Sequence, residues 1–132
     1  METTLKLSTM YMSGCPTRQM LDLIGDKWTV LIVGLLEGGP KRFSQLQRSI
    51  EGISQKMLTQ TLRQLERDGL VKRTIYPDVP LRVEYQLTAL GETLCVPIKA
   101  IRDWADTHID EVASAQQVYD SREGNATAGA GG

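Results

Sequence analysis

Apolar residues recur at helical spacing along residues 54–69 and divide that stretch into two chemically different sides. Ser54 is a good N-cap and Gly69 suits the position that follows a helix, so the pattern predicts a helix between them. At about 100° per residue, the apolar side gathers Met57, Leu58, Thr61, Leu62 and Leu65. The opposite side gathers Lys56, Thr59, Gln60, Arg63 and Arg67.

The polar side of this helix combines amides, a hydroxyl and cations, with no acidic residue before Glu66. Such groups suit the base edges and phosphates of DNA. A merely solvated face is the alternative, since most charged helix faces are no more than that. The neighbouring segments favour the first interpretation.

A short helix and a β-hairpin flank this helix in the sequence. Upstream, Ser44 and Gln47 form a capping-box pattern that predicts a helix over residues 44–50. Two helices joined by a tight glycine-containing turn are typical of a helix-turn-helix. Downstream, residues 70–76 and 82–87 have strand character. A helix-turn-helix followed by a hairpin predicts a winged helix, which is a mainly α (α+β) fold.

Several short motifs occur in a fixed order between Cys15 and Trp104. They are Cys15-Pro16, Gly25-Asp26-Lys27-Trp28-Thr29, Arg42-Phe43-Ser44-Gln45-Leu46, Ile53-Ser54-Gln55-Lys56-Met57-Leu58, Leu65-Glu66-Arg67-Asp68-Gly69-Leu70-Val71, Tyr76-Pro77-Asp78-Val79-Pro80, Val83-Glu84-Tyr85-Gln86-Leu87-Thr88 and Trp104. Through these motifs the chain resembles the HxlR-type transcriptional regulators, which are related to the MarR-type winged helices, and the Tyr-Pro wing followed by Val-Glu-Tyr is highly specific. The resemblance implies a homodimeric DNA-binding regulator of nearby genes.

Two further helices are predicted before the helix-turn-helix. Residues 17–24 form the first, and residues 26–36 form the second, with apolar residues at i, i+3, i+4, i+7 and i+8. Trp28 lies at this core spacing, and stacking on a ligand is the alternative. Residues 41–43 are expected to add a small strand to the wing.

A long helix is predicted after Thr88, with apolar residues separated by alternate steps of three and four. We expect Pro97 to kink or divide it, because proline lacks a backbone donor. Such a helix has little of its own domain to cover, so dimerisation is its simplest use and packing within one chain is the alternative. The expected interface residues are Leu94, Ile98, Ile101, Ala105, His108 and Val112.

Composition fits one folded domain. We divide the 132 residues into a flexible N-terminal arm (1–13), a winged-helix domain with dimerisation helices (14–115) and a disordered C-terminal tail (116–132). No membrane-spanning apolar run and no secretory signal is visible, so a cytoplasmic location is expected. Neither metal-ligand spacing nor a catalytic motif is present, and we therefore predict no enzyme, metal or cofactor.

The net charge of −1 is unevenly distributed along the chain. Residues 41–82 hold nine Lys/Arg against four Asp/Glu, a balance of +5, and the remainder holds six against twelve, a balance of −6. A basic module in an acidic chain is typical of a DNA-binding protein. We therefore predict a homodimeric, sequence-specific repressor that binds an inverted-repeat operator in double-stranded DNA. A winged-helix protein-interaction module is the alternative.

The predicted DNA contacts come from three segments. Ser54 caps the recognition helix, whose major-groove side chains are Gln55, Lys56, Thr59, Gln60 and Arg63. Phosphate or minor-groove contacts are expected from Arg42, Ser44 and Gln45 before this helix, and from Arg82 in the wing.

Cys15 precedes Pro16, and proline is favoured at the first helical position, so the thiol is expected at a helix N-cap. The helix dipole there favours a thiolate. The resemblance adds that some HxlR-type proteins use a cysteine at this place to sense oxidants or quinones. An oxidant, electrophile or small ligand is thus the expected effector, and a capping residue without a signalling role is the alternative. Cys95 is either a resolving thiol across a dimer or a buried inert one.

Overall fold

The computed structural model describes the backbone of residues 11–131 and the side chains of residues 11–124. Only the end of the expected flexible arm, residues 11–13, falls within this range. Residues up to Ile98 and those from Lys99 onward form two compact units. The described elements are α1 (Pro16–Gly25), α2 (Lys27–Leu36), β1 (Lys41–Arg42), α3 (Phe43–Ser49), α4 (Gln55–Arg67), β2 (Val71–Tyr76), β3 (Arg82–Leu87), α5 (Ala89–Thr93) and α6 (Cys95–Gly131).

The order of these elements is that of a winged helix, as predicted. Helices α3 and α4 form the helix-turn-helix, and the three strands form an antiparallel sheet in the order β1-β3-β2. In the hairpin Val71 pairs with Leu87, and Tyr76 pairs with Arg82. The small strand expected before α3 pairs with β3.

Local capping fixes the start of three helices, and the sequence predicted the caps at Ser54 and Thr88. Asp26 accepts a hydrogen bond from the backbone N–H of Trp28 (2.8 Å), and Ser54 accepts one from Met57 (3.0 Å). Thr88 accepts one from Gly91 (3.0 Å). These bonds satisfy backbone donors that have no partner inside a helix.

The predicted cap of α3 is wrong. The helix begins at Phe43, and the Gln45 side-chain oxygen accepts the backbone N–H of Arg42 at 2.8 Å. Ser44 is therefore inside the first turn. The reason is tertiary: Arg42 is held in the sheet opposite Glu84, so the chain leaves the strand and turns into the helix immediately after it.

The core lies between α2, α3, α4 and the inner face of the wing. The side chains with no or almost no exposed surface include Ile32, Leu46, Leu58, Leu62 and Leu65. Trp28 packs against this core, which supports the core interpretation over ligand stacking. Ile98, at the start of α6, belongs to the same core and is only 1% exposed.

The long C-terminal helix is divided, as the proline predicted. Helix α5 ends at Thr93 and α6 starts at Cys95, so Pro97 lies in the first turn of α6, where a missing backbone donor costs nothing.

The C-terminal boundary differs from the prediction, because α6 continues through residues 116–131 instead of giving way to a disordered tail. The apolar stripe that contains Val112 continues at helical spacing to Ala115 and Tyr119, and alanine has the highest helix propensity. Among the described residues, no helix combines the length and apolar character needed to cross a bilayer.

Candidate nucleic-acid interface

The polar side of α4 forms a shallow surface depression made of one segment of chain. All six lining residues were predicted from the sequence, and all are exposed except the half-buried Thr59. The structure therefore brings together Ser54, Gln55, Lys56, Thr59, Gln60 and Arg63.

Burial of the opposite side fixes the orientation of this helix. Leu58, Leu62 and Leu65 are each at most 2% exposed, so α4 cannot rotate without exposing the core. The Ser54 cap at one end and Gly69, with a φ of +75°, at the other set its length. Sequence, packing and caps all present the same polar side chains outward.

The depression carries positive charge without a compensating acid in its lining. Lys56 and Arg63 are its two cations, and neither forms an ion pair with any residue that the structure describes. Its remaining side chains are hydroxyls and amides, which both donate and accept hydrogen bonds. This combination can bind phosphates through charge and base edges through directed hydrogen bonds.

The residues predicted from α3 lie at the beginning of that helix and do not line the depression. Arg42, Ser44 and Gln45 are all exposed. The side-chain oxygen of Gln45 is engaged in capping, as described above, which leaves its NH₂ group as the donor. Arg42 keeps its guanidinium outside any ion pair with the described residues.

Arg82 was predicted to contact DNA, but its surroundings give it a structural position in the wing. Its Nε lies 3.0 Å from a carboxylate oxygen of Asp78, and one terminal nitrogen lies 2.8 Å from Glu84. The guanidinium also stacks 4.0 Å from the ring centre of Tyr76. The hydrogen bond that Arg82 donates to Asp78 and the negative charge of Glu84 raise the pKa of Arg82. Two carboxylates therefore compensate the charge of Arg82, and strand periodicity alone gave no sign of them.

Arg73 and Tyr85 are candidate site residues that the sequence reasoning missed. They are directly paired across β2 and β3, and with Arg63 and Thr59 they line a second depression between α4 and the wing. Arg73 lies 3.6 Å from Glu66 of α4. Burial raises the pKa of the Tyr85 phenol, while the charge of Arg73 opposes that shift. The alternation of the strand could have identified Arg73, because Val71, Arg73 and Ile75 lie on the same face of β2.

The predicted interface residues divide between the two units. Ile98 is 1% exposed in the core of the first unit, which corrects its prediction as an interface residue, because the core of its own chain covers it. Leu94 packs against the same core and is half-buried. In the second unit Ile101 is 50% exposed, and Ala105 and Val112 are also exposed. His108 is half-buried, with its ring centre 4.9 Å from that of Trp104.

Cys15 is the N-cap of α1, as predicted, and is half-buried. Arg18, about one turn further along α1, donates a hydrogen bond to the carbonyl oxygen of Tyr11 at 3.1 Å. Cys95 is also half-buried, in the first residue of α6. Within the described residues, no three His, Cys, Asp or Glu side chains are arranged to hold a metal ion.

Comparison with known proteins agrees with this architecture. A transcriptional regulator of the helix-turn-helix type from Escherichia coli (strain K12), YtfH, is 42% identical over 112 residues, which cover 85% of this chain and 89% of that protein. The structure of putative transcriptional regulator ytfH from Salmonella typhimurium superposes with a TM-score of 0.76 at 40% identity, covering 81% and 96% of the two chains. The structure of the redox regulator HypR in its reduced form superposes with a TM-score of 0.70 at 39% sequence identity, and the match covers 75% of this chain and 98% of that one.

The HxlR-like helix-turn-helix family matches residues 23–113, which span α2, the helix-turn-helix, the wing and the first part of α6. The chain therefore belongs to the HxlR-like helix-turn-helix family of DNA-binding transcriptional regulators.

Proposed function

We propose that this regulator is a homodimeric repressor that binds an inverted-repeat operator with α4 in the major groove. The observation that carries the proposal is the depression on α4, whose lining has two unpaired cations, two amides and two hydroxyls and no carboxylate. Amides and arginine can form paired hydrogen bonds to adenine and guanine edges, which gives sequence specificity. A dimer bound to its operator would exclude RNA polymerase from the same DNA and so repress transcription.

Phosphate contacts are assigned to cations around the recognition helix. Arg42 at the start of α3 forms no ion pair with a described residue, and Arg73 beside Arg63 has a single, longer one, to Glu66 at 3.6 Å. Arg82 is left out of this set, because Asp78 and Glu84 compensate its charge. Phosphate contacts position the protein on the duplex, and they make its affinity depend on salt.

The DNA proposal is tested with fluorescence anisotropy on the region upstream of the regulator's own gene. Arg63→Ala should weaken specific binding by about 1–3 kcal/mol, since it removes a base-reading side chain. Arg122→Ala is the matched control, because it removes the same charge from an exposed position on α6. Full operator affinity in a Lys56→Ala, Arg63→Ala double variant would contradict the assignment of α4. Binding to a protein partner through the same face, without DNA binding, would favour an interaction module instead.

The dimer is assigned to the exposed apolar stripe of α6. At about 100° per residue, Ile101, Ala105, His108 and Val112 lie on one side, with Trp104 at its edge, while Asp103, Asp106 and Asp110 lie opposite. An apolar stripe this long on an exposed helix is typical of a surface that pairs with another chain. Sedimentation at micromolar concentration measures this directly, and a monomer would contradict the two-half-site model.

A second candidate function, oxidant sensing, rests on the position of Cys15 and on a relative. Cys15 is the N-cap of α1, where the helix dipole favours a thiolate, and the similar protein HypR is described as a redox regulator. Diamide or a quinone should then change operator affinity in the wild type but not in Cys15→Ser. An oxidant response that survives Cys15→Ser would leave Cys15 with a capping role only.

A further inference from the structure

A cleft of about 320 Å³ lies between α1, the start of α2 and the recognition helix. It is distinct from the depression that faces DNA, but Gln60 lines both. Met20 and Leu23 supply apolar surface on one wall. Its most informative polar lining residues are Asp22, Asp26, Thr29, Gln60, Arg67 and Asp68.

The floor of the cleft holds a polar atom whose hydrogen-bonding capacity is unused. Thr29 is 0% exposed, and its hydroxyl oxygen has no hydrogen-bond partner among the described residues. Burying a hydroxyl without a partner is costly, so such groups in native proteins usually have a purpose. A ligand in the cleft could hydrogen-bond with this hydroxyl.

The charges around the cleft favour a cation. Three carboxylates line it against one guanidinium, that of Arg67. Asp26 uses one oxygen to cap α2, and Asp68 uses one oxygen to accept from Gln64 at 3.0 Å, so each has a second oxygen for a ligand. Asp22 forms no ion pair with any described residue. An amidinium or ammonium group can donate to such oxygens, and charge-assisted hydrogen bonds of this type are strong.

We propose that this cleft binds a small organic cation, with an amine or amidine group toward Asp22 and an apolar portion on Met20 and Leu23, and that the ligand controls DNA binding. The control rests on the proposed function of α4. Because Gln60 belongs to both surfaces, a ligand that engages Gln60 withdraws it from DNA.

Binding is tested by calorimetry with benzamidine, a flat aromatic amidine, titrated into the low-millimolar range where fragments of this size bind. We expect saturable binding with one ligand per chain. Neutral benzamide should bind about tenfold more weakly or worse, since it lacks the charge-assisted bond. Asp22→Asn should cause a loss of similar size, and Asp110→Asn, an exposed carboxylate on α6, should cause none. Thr29→Val should also weaken binding while the protein stays folded.

Operator affinity is then measured with and without benzamidine. The wild type should bind DNA several-fold more weakly at saturating benzamidine, and Asp22→Asn should be indifferent to it. Benzamide binding as tight as that of benzamidine, or benzamidine binding to Asp22→Asn as tight as to the wild type, would contradict the proposed cation site in the cleft. Benzamidine binding without any change in operator affinity would contradict the proposal that the ligand controls DNA binding. Failure of the ligand-free protein to bind its operator would instead contradict the proposed function, and the calorimetry would still test the cleft alone.

Discussion

At Gly91, α5 packs closely against the backbone of Leu70. Gly91 is buried, and a Cβ placed there would overlap the backbone carbonyl oxygen of Leu70 and crowd the side chain of Leu87. Leu70 also joins α4 to β2, and its carbonyl accepts the backbone N–H of Thr88 at 3.0 Å. Because residue 91 has no side chain, α5 can pack directly on the segment that joins the recognition helix to the wing.

Gly91→Ala should lower the free energy of unfolding by about 1–3 kcal/mol or more, because backbone must move to admit the methyl group. Urea denaturation followed by circular dichroism measures the change. Gly124→Ala is the control, since a Cβ there meets nothing within 4 Å and alanine favours the helix. An unchanged urea midpoint for Gly91→Ala would mean that the close approach to Leu70 is not maintained in solution.

Unlike Gly91→Ala, the substitution Thr29→Val should raise the free energy of unfolding. Valine keeps the branched outline of threonine and removes the unpartnered hydroxyl, so the free energy of unfolding should rise by about 1 kcal/mol. Thr61→Val is the matched control, because the buried Thr61 hydroxyl donates a hydrogen bond to the carbonyl oxygen of Met57 at 2.8 Å. Loss of that bond should lower the free energy of unfolding. Equal destabilisation by both substitutions would show that the Thr29 hydroxyl has a partner after all.

At the scale of elements, the sequence predicted those features that local chemistry decides. The cap at Ser54, the stop at Gly69 and the two-sided pattern between them fix α4 and the composition of its outer face without reference to other segments. Features that depend on tertiary contacts could not be predicted in this way. The start of α3 is set by strand pairing, and two carboxylates of the wing pair with Arg82.

The apolar seam of the C-terminal helix shows the same limit. A spacing of threes and fours gives equal status to Ile98 and Ile101, but Ile98 is in the core and Ile101 is half exposed. Periodicity identifies the side of a helix that is covered, and it does not say whether the cover comes from the same chain or from a second one. Burial separates the two residues.

Aspartate substitutions at these two positions should therefore have different consequences. Ile98→Asp buries an unpaired charge in the core of the winged helix and should unfold the protein or make it insoluble. Ile101→Asp should leave each chain folded, with an unchanged circular dichroism spectrum, and shift it to monomer in sedimentation. If Ile101→Asp stays dimeric, the exposed stripe of α6 is not the interface.

At the scale of the whole molecule, a net charge of −1 conceals a basic segment in an acidic chain. In the proposed complex, the acidic remainder would repel DNA from other surfaces, and the cations of residues 41–82 would attract it to α4 and its neighbours. Such binding should weaken steeply with salt, because each phosphate contact releases counterions. Charge would then direct the encounter, and the amides and hydroxyls of α4 would supply the discrimination between sequences.

Two-fold symmetry makes a further prediction about the operator. In a dimer, two copies of α4 would enter successive major grooves about 34–36 Å apart, one helical turn of DNA. Inserting about five base pairs between the half-sites turns one of them to the opposite side of the duplex, so only one α4 can bind and the avidity of the pair is lost. The wild type should then bind the lengthened operator no better than an isolated half-site, as measured by anisotropy.

The monomeric Ile101→Asp variant is the control for this experiment. It should bind the natural and the lengthened operators equally weakly, because a single chain contacts one half-site and cannot sense the spacing. A wild-type protein that is indifferent to the insertion would contradict the symmetric model. The recognition helix would then read a single site, and the apolar stripe of α6 would need a different partner.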